Sequence, residues 1–166
     1  MGARIALRLG RKYPEDIARL VLVDPPVSGP GRRPYPAKLS WYVDSIRQSL
    51  KGMSADDMRV FCPTWTQEQL RLRAEWLHTC DEAAIVDSFE RFHTEDVHQD
   101  VPHLPCPSLL VMATRGGVIL PEDEAELRGL SAKLSVTHVA DAGHMIPWDN
   151  FSGFLDAVVP FAAGAA

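Results

Sequence analysis

The sequence predicts an α/β fold: parallel strands with flanking helices, interrupted after the first strand by a helical insertion. Three observations carry that prediction. A short, continuous apolar run stands at 20–23, as expected for a strand buried on both faces of a parallel sheet, and strand patterns return at 108–113 and 134–139. Helical periodicity surrounds them at 2–13, 121–132 and 151–162. No convincing strand interrupts the long stretch from 37 to 94.

The elements follow in order. In "GARIALRLG", Ala3, Ile5, Ala6, Leu7 and Leu9 form an apolar face with arginines between them. A helix over 2–13 results, and Pro14 ends it because the residue before a proline avoids helical geometry. Leu20, Val21, Leu22 and Val23 form the first strand, which closes on Asp24, Pro25 and Pro26. "VSGPGRRPYP" (27–36) is too rich in Gly and Pro for regular structure. Helices are expected over about 38–50, 54–61, 66–79 and 81–94. Ser54 with Asp57, and Thr66 with Gln69, have the spacing of reciprocal N-terminal caps. "SLLVMA" is the second strand, and Pro121 followed by Glu122, Asp123 and Glu124 opens a helix with acids at its positive end. "LSVTHV" is the third strand, "DAGHMIPWDN" a loop, and 151–162 the last helix.

This is the order of the carboxyl-terminal half of an open α/β sheet. The core is expected over 1–26 and 101–166, with a helical cap over 27–100. Three strands alone would leave a bare edge, so the chain is expected to be the C-terminal piece of a larger domain.

Composition narrows the function. The 166 residues are 46% hydrophobic and 23% charged, with a net charge of −5. That balance suits a globular domain and argues against nucleic acid as a partner. No apolar run approaches the ~20 residues of a membrane helix, so no membrane partner is expected. Cys62, Cys80 and Cys106 are few and far apart, which reads as reduced thiols in a cytoplasmic protein. Oligomeric state is not legible.

Catalytic groups in such sheets gather at the carboxyl ends of strands. The first strand ends in Asp24, on a stiff Asp-Pro-Pro turn; a turn or capping role is the alternative. The second ends in "TRGGVIL", with no acid before Glu122. The third leads to His144. A histidine base needs a partly solvated loop and a carboxylate to orient it. Asp141 is close in sequence, but such neighbours usually bond local backbone.

"MGARIALRLGRKYPEDIARLVLVDPP", a helical block, "CPSLLVMA" and "VADAGHMIPWDN" together resemble an α/β-hydrolase read from just after its nucleophile elbow. In that family the elbow is G-x-S-x-G. Met1 and Gly2 match its last two positions, so the serine would lie immediately before Met1. The resemblance implies His144 as the catalytic base and 27–100 as the cap. It also implies the Met1 backbone N–H as one oxyanion donor. Most members carry the triad acid after the strand that ends here at Ala113, where "TRGG" offers none. A smaller group carries it one strand earlier, where Asp24 stands. Without a carboxylate the histidine loses tautomer control, at about four orders of magnitude in rate, so Asp24 is the expected acid.

"VLVDPPVSGPGRRPYP" and the "DAGHMIPWDN" ending narrow the resemblance to members that cleave amide C–N bonds of small dicarboxylic acids without a cofactor or metal. Such a small-molecule substrate is an anionic amide, and needs cations or a dense set of donors. The candidates are Arg115, Arg32 and Arg33, with Tyr35 and Trp65 as walls. Trp41, Tyr42, Trp76 and Phe89 fall at helical spacings and read as cap core. Ser28 and Ser152 have no elbow around them, so the chain alone is expected to be inactive.

The rivals are an ester or carbon–carbon hydrolase, or a haloalkane dehalogenase with an aspartate nucleophile, on the same frame. A non-catalytic binding piece, docking through the bare edge, is of another class. His93, His98 and His103, with Glu95, Asp96 and Asp100, fall at five-residue steps, unlike the four-residue step of helical zinc motifs.

Overall fold

The computed structural model describes residues 1–164. Three strands, β1 (Leu20–Val23), β2 (Ser108–Ala113) and β3 (Leu134–Val139), form one parallel sheet in the order β1-β2-β3. Leu20 faces Ser108, and Ser108 faces Leu134. β2 is central and every one of its residues is buried, which is why it reads as an unbroken apolar run after Ser108. β3 alternates towards polar residues because it lies at an edge.

Helix α1 (Gly2–Lys12) precedes β1, and the chain packs in two compact units. The sheet unit comprises Met1–Tyr35 and the chain from His93 onward; the helical unit is Pro36–Phe92. The helical unit is thus shorter than the 27–100 insertion expected from sequence. Both flanks belong with the sheet because buried Arg4 of α1 ties them there. Its guanidinium donates to Ser28 O at 3.2 Å and to Glu95 O at 2.7 Å. Arg8 and Arg11 extend the clamp to Glu95 and Asp100.

Within the sheet unit, one face carries Leu109, Val111, Ala113 and Val139 against Phe154, Ala157, Val158 and Phe161. These aromatic and aliphatic residues belong to α8 (Phe151–Ala162). Fully burying a side chain such as Leu109, Val111 or Phe161 contributes about 1.5–3 kcal/mol. On the other face α1 comes so close that a methyl on Gly10 would lie 3.0 Å from Leu20 Cδ1. A larger residue at position 10 would require the end of the Leu20 side chain to give way. Helix α6 (Pro121–Leu130) packs beside β3 and the 3₁₀ turn His98–His103.

The helical unit holds α2 (Leu39–Ser49), α3 (Ala55–Met58), α4 (Gln67–Leu77) and most of α5 (Glu82–Thr94). Ile46, Met58, Cys62, Leu70, Ala74 and Leu77 form its core. Ser54 with Asp57, and Thr66 with Gln69, make the reciprocal caps that their spacing predicts. Two expectations are corrected. The 141–150 segment is not all loop: Ile146–Asp149 forms a short helix, α7, because Pro147 suits a first turn. The helix from Pro121 stops at Leu130, where Ser131 turns extended.

Candidate active site

Asp24 and His144 come together at the carboxyl ends of the strands. Asp24 directly follows β1. Its backbone N–H donates to Val111 O at 2.8 Å, which carries the β1–β2 ladder one residue past the strand. Its φ is +42°, in the left-handed region, although Pro25 follows. A residue before proline normally stays extended, so this backbone stores strain of about 1–3 kcal/mol. The conformation turns the carboxylate inward, where it is 2% exposed.

The carboxylate meets His144, whose Nδ1 lies 2.8 Å from Asp24 Oδ2. A carboxylate in its ionised form only accepts, so this contact suits the neutral tautomer with the hydrogen on Nδ1 and the lone pair on Nε2. The imidazole is 41% exposed, and Nε2 makes no hydrogen bond among the described residues. It is therefore open to a reacting group. Gly116 of "TRGG" lies beside this pair. A methyl on Gly116 would lie 3.7 Å from Asp24 Oδ2 and 3.1 Å from Ala113 Cβ. The tight neighbour is Ala113; the distance to Asp24 is ordinary van der Waals contact.

The loop carrying His144 is fastened at several points. Gly143 N–H donates to Asp149 Oδ2 at 2.8 Å. Asn150 Nδ2 donates to Ala140 O at 2.9 Å, while its Oδ1 caps α8 at Gly153 N–H. Arg115 N–H donates to Ala142 O at 2.9 Å, and its guanidinium donates to Asp141 O. Asp141, at φ +54°, shapes the turn. It is Asp24, and not Asp141, that bonds the imidazole.

The other predicted residues separate. Tyr35 is buried and its ring stands edge-on to His144, 6.3 Å between centroids. Its backbone N–H donates to His93 Nε2 at 3.2 Å. Arg115 is exposed and bonds Ala142 and Asp141 on the loop that carries His144. Arg32 is paired with Glu126, and Arg33 with Asp123 and the carbonyls of Gly117 and Val118. That engagement ties the 27–35 loop to α6. Met1 accepts the N–H groups of Arg4 and Ile5 at the start of α1. Trp65 lies in the helical unit. Sequence reasoning missed Asp149 and Asn150, whose only signal was their place just before the last helix, and buried Arg4. Among the described residues no cluster of three or more His, Cys, Asp or Glu is arranged to hold a metal. No described helix is long and apolar enough to cross a membrane.

No family model matches the chain. It is 60% identical over 161 residues to N-formylmaleamate deformylase of Pseudomonas putida, covering 97% of this chain and 60% of that protein. The crystal structure of N-formylmaleamic acid deformylase from another strain of that species superposes with a TM-score of 0.90 at 55% identity. The match covers 94% of this chain and 62% of that one. E-2-(acetamidomethylene)succinate hydrolase matches at 18% identity and TM-score 0.71, over 98% of this chain and 63% of that one. An α/β-hydrolase from a deep-sea metagenome gives 20% and 0.60, over 98% and 62%. The chain therefore spans about three-fifths of the proteins it matches. The fold that they share with it is the carboxyl-terminal part of an α/β-hydrolase.

Proposed function

We propose, starting from a chain with the carboxyl-terminal fold of an α/β-hydrolase, that it supplies the base and orienting acid of a serine hydrolase acting on a small anionic amide. The observation that carries this is the 2.8 Å contact between His144 Nδ1 and buried Asp24, with Nε2 left open. The choice of N-formylmaleamate as substrate rests on the 60% identity to its deformylase. The same pair would serve an ester or carbon–carbon bond hydrolase.

The chemistry then follows from the geometry. A serine hydroxyl attacks the formyl carbon while His144 Nε2 takes its proton. Asp24 stabilises the imidazolium and fixes its plane. The tetrahedral oxyanion receives the N–H of Met1 and of a second donor. His144 then protonates the leaving nitrogen as the C–N bond breaks, which releases maleamate. Water, activated by the same imidazole, frees formate from the formyl-enzyme. Arg115 is the cation proposed to steer the substrate's carboxylate, and Tyr35 a wall beside the imidazole. The segment 36–92 is proposed as the cap. The 166 residues contain no serine in an elbow, so the chain alone is proposed to be inactive.

The test is formate release from N-formylmaleamate. The chain alone should give none. A fusion that places the amino-terminal segment of the Pseudomonas putida relative before Met1 should turn over, and its His144→Gln variant should not. Turnover by the chain alone, or an unaffected His144→Gln fusion, overturns the proposal.

A further inference from the structure

One arginine of the helical unit is held in place with no counter-ion. The guanidinium of Arg73, on α4, lies 5.3 Å from the ring centroid of Trp41 and 5.6 Å from that of Trp65. Its Nε is buried and has no hydrogen-bond partner. The other arginines of this unit are all engaged. Arg47 pairs with Glu82, Arg59 with Gln67, Arg71 with Glu68 and Glu75, and Arg91 with Asp87. Among the described residues no carboxylate, amide or carbonyl reaches Arg73.

The indoles that hold it are themselves fixed. Trp41 Nε1–H donates to Phe61 O at 2.9 Å, and its ring stands edge-on to Tyr42 at 4.7 Å and to Phe61 at 6.3 Å. Trp41 and Trp65 both pack on the core of the unit. Ring faces attract a cation but accept none of its five N–H groups in the plane. The side chain is partly exposed while Nε is shut off, so the terminal Nη edge is what the site offers. A planar, pre-oriented fork of two donors matches a carboxylate in a bidentate pair.

We infer that Arg73, clamped by Trp41 and Trp65, is a carboxylate-binding site of the helical unit for a small organic acid. The choice of a dicarboxylic acid rests on the hydrolase reading; the site itself does not.

The test uses the 166-residue chain and maleate as the probe. Titration should move the Arg73 Nε–Hε cross-peak saturably in a ¹⁵N spectrum, the peak being identified by its loss in Arg73→Lys. By calorimetry Arg73→Gln should weaken maleate roughly ten-fold or more. Arg73→Lys should also weaken it, since an ammonium cannot reproduce the fork. Arg91→Gln, on the exposed surface, should bind as the parent does. Unchanged affinity in Arg73→Gln, or no maleate binding by the folded parent, overturns the site. Should Arg73→Gln fail to fold, the parent's cross-peak decides, and a peak that stays put overturns the site. Formate release reports the hydrolase reading separately. Binding without turnover in the fusion sinks that reading alone, and an unchanged KM in a binding-deficient Arg73 variant sinks its extension to the substrate.

Discussion

His144 Nδ1 lies 2.8 Å from Asp24 Oδ2, a contact that closes across 120 residues of sequence. Asp24 is shut from solvent and His144 is not. One partner is therefore fixed by the sheet, and the other presents its free nitrogen outward. The strained backbone at Asp24 fits this division, since a turn residue with no task could be extended at lower cost.

Asp24→Asn keeps the volume but offers the imidazole an amide in place of a carboxylate. In the fusion described above, kcat should fall by about four orders of magnitude, with a much smaller change in KM. Formate release kinetics measure both. A loss of less than ten-fold would remove Asp24 from the mechanism.

Asp149→Ala should loosen the histidine loop without unfolding the sheet. Its carboxylate accepts from Gly143 N–H, one residue before His144. The expected loss of stability is about 1 kcal/mol, the ordinary net worth of such a bond. The resonance of the His144 Nδ1 hydrogen should broaden, whereas urea unfolding should remain cooperative.

Arg4→Met should be more damaging. It is buried and satisfies the carbonyls of Ser28 and Glu95. Each orphaned carbonyl costs roughly 1–3 kcal/mol. Arg4→Lys should rescue little, because one ammonium does not reproduce the guanidinium fork. Chemical denaturation of the three proteins provides the comparison.

His98 should make the sheet unit sensitive to acid. Burial pushes its imidazole below the ordinary value of 6.5, and Arg32 adds to this, outweighing Glu126, Asp96 and Asp123. Neither ring nitrogen has a hydrogen-bond partner. The unfolded chain therefore takes up the proton first as pH falls. The contribution is intact above about pH 6.5 and is lost progressively down to the lowered value in the folded state. The urea midpoint should drop more between pH 7.5 and 5.5 in the parent than in His98→Gln. Parallel drops would contradict the assignment.

The three strands were legible to the residue: the first is a pure apolar run closed by Asp-Pro-Pro, the second is apolar after Ser108, and the third alternates apolar with polar residues. The two caps, Ser54 with Asp57 and Thr66 with Gln69, were legible because their partners are three residues apart. Asp24 and His144 each stand at a strand end, and the resemblance to α/β-hydrolases, with no acid in "TRGG", linked one to the other. The rest depended on distant partners. Arg32 and Arg33 look like free cations until the acids of α6, some 90 residues on, are brought beside them. Arg4 reads as a solvated charge on a helix until the flanks of the insertion fold over it. Arg73 was invisible for the opposite reason: it is marked by what fails to reach it.

The most direct measurement is the tautomer of neutral His144, read from its ¹⁵N shifts in the parent and in Asp24→Asn. The account predicts a protonated Nδ1 and a bare Nε2 in the parent, with that preference lost or reversed in the variant. A parent imidazole protonated at Nε2, or one indifferent to the change at 24, would contradict it.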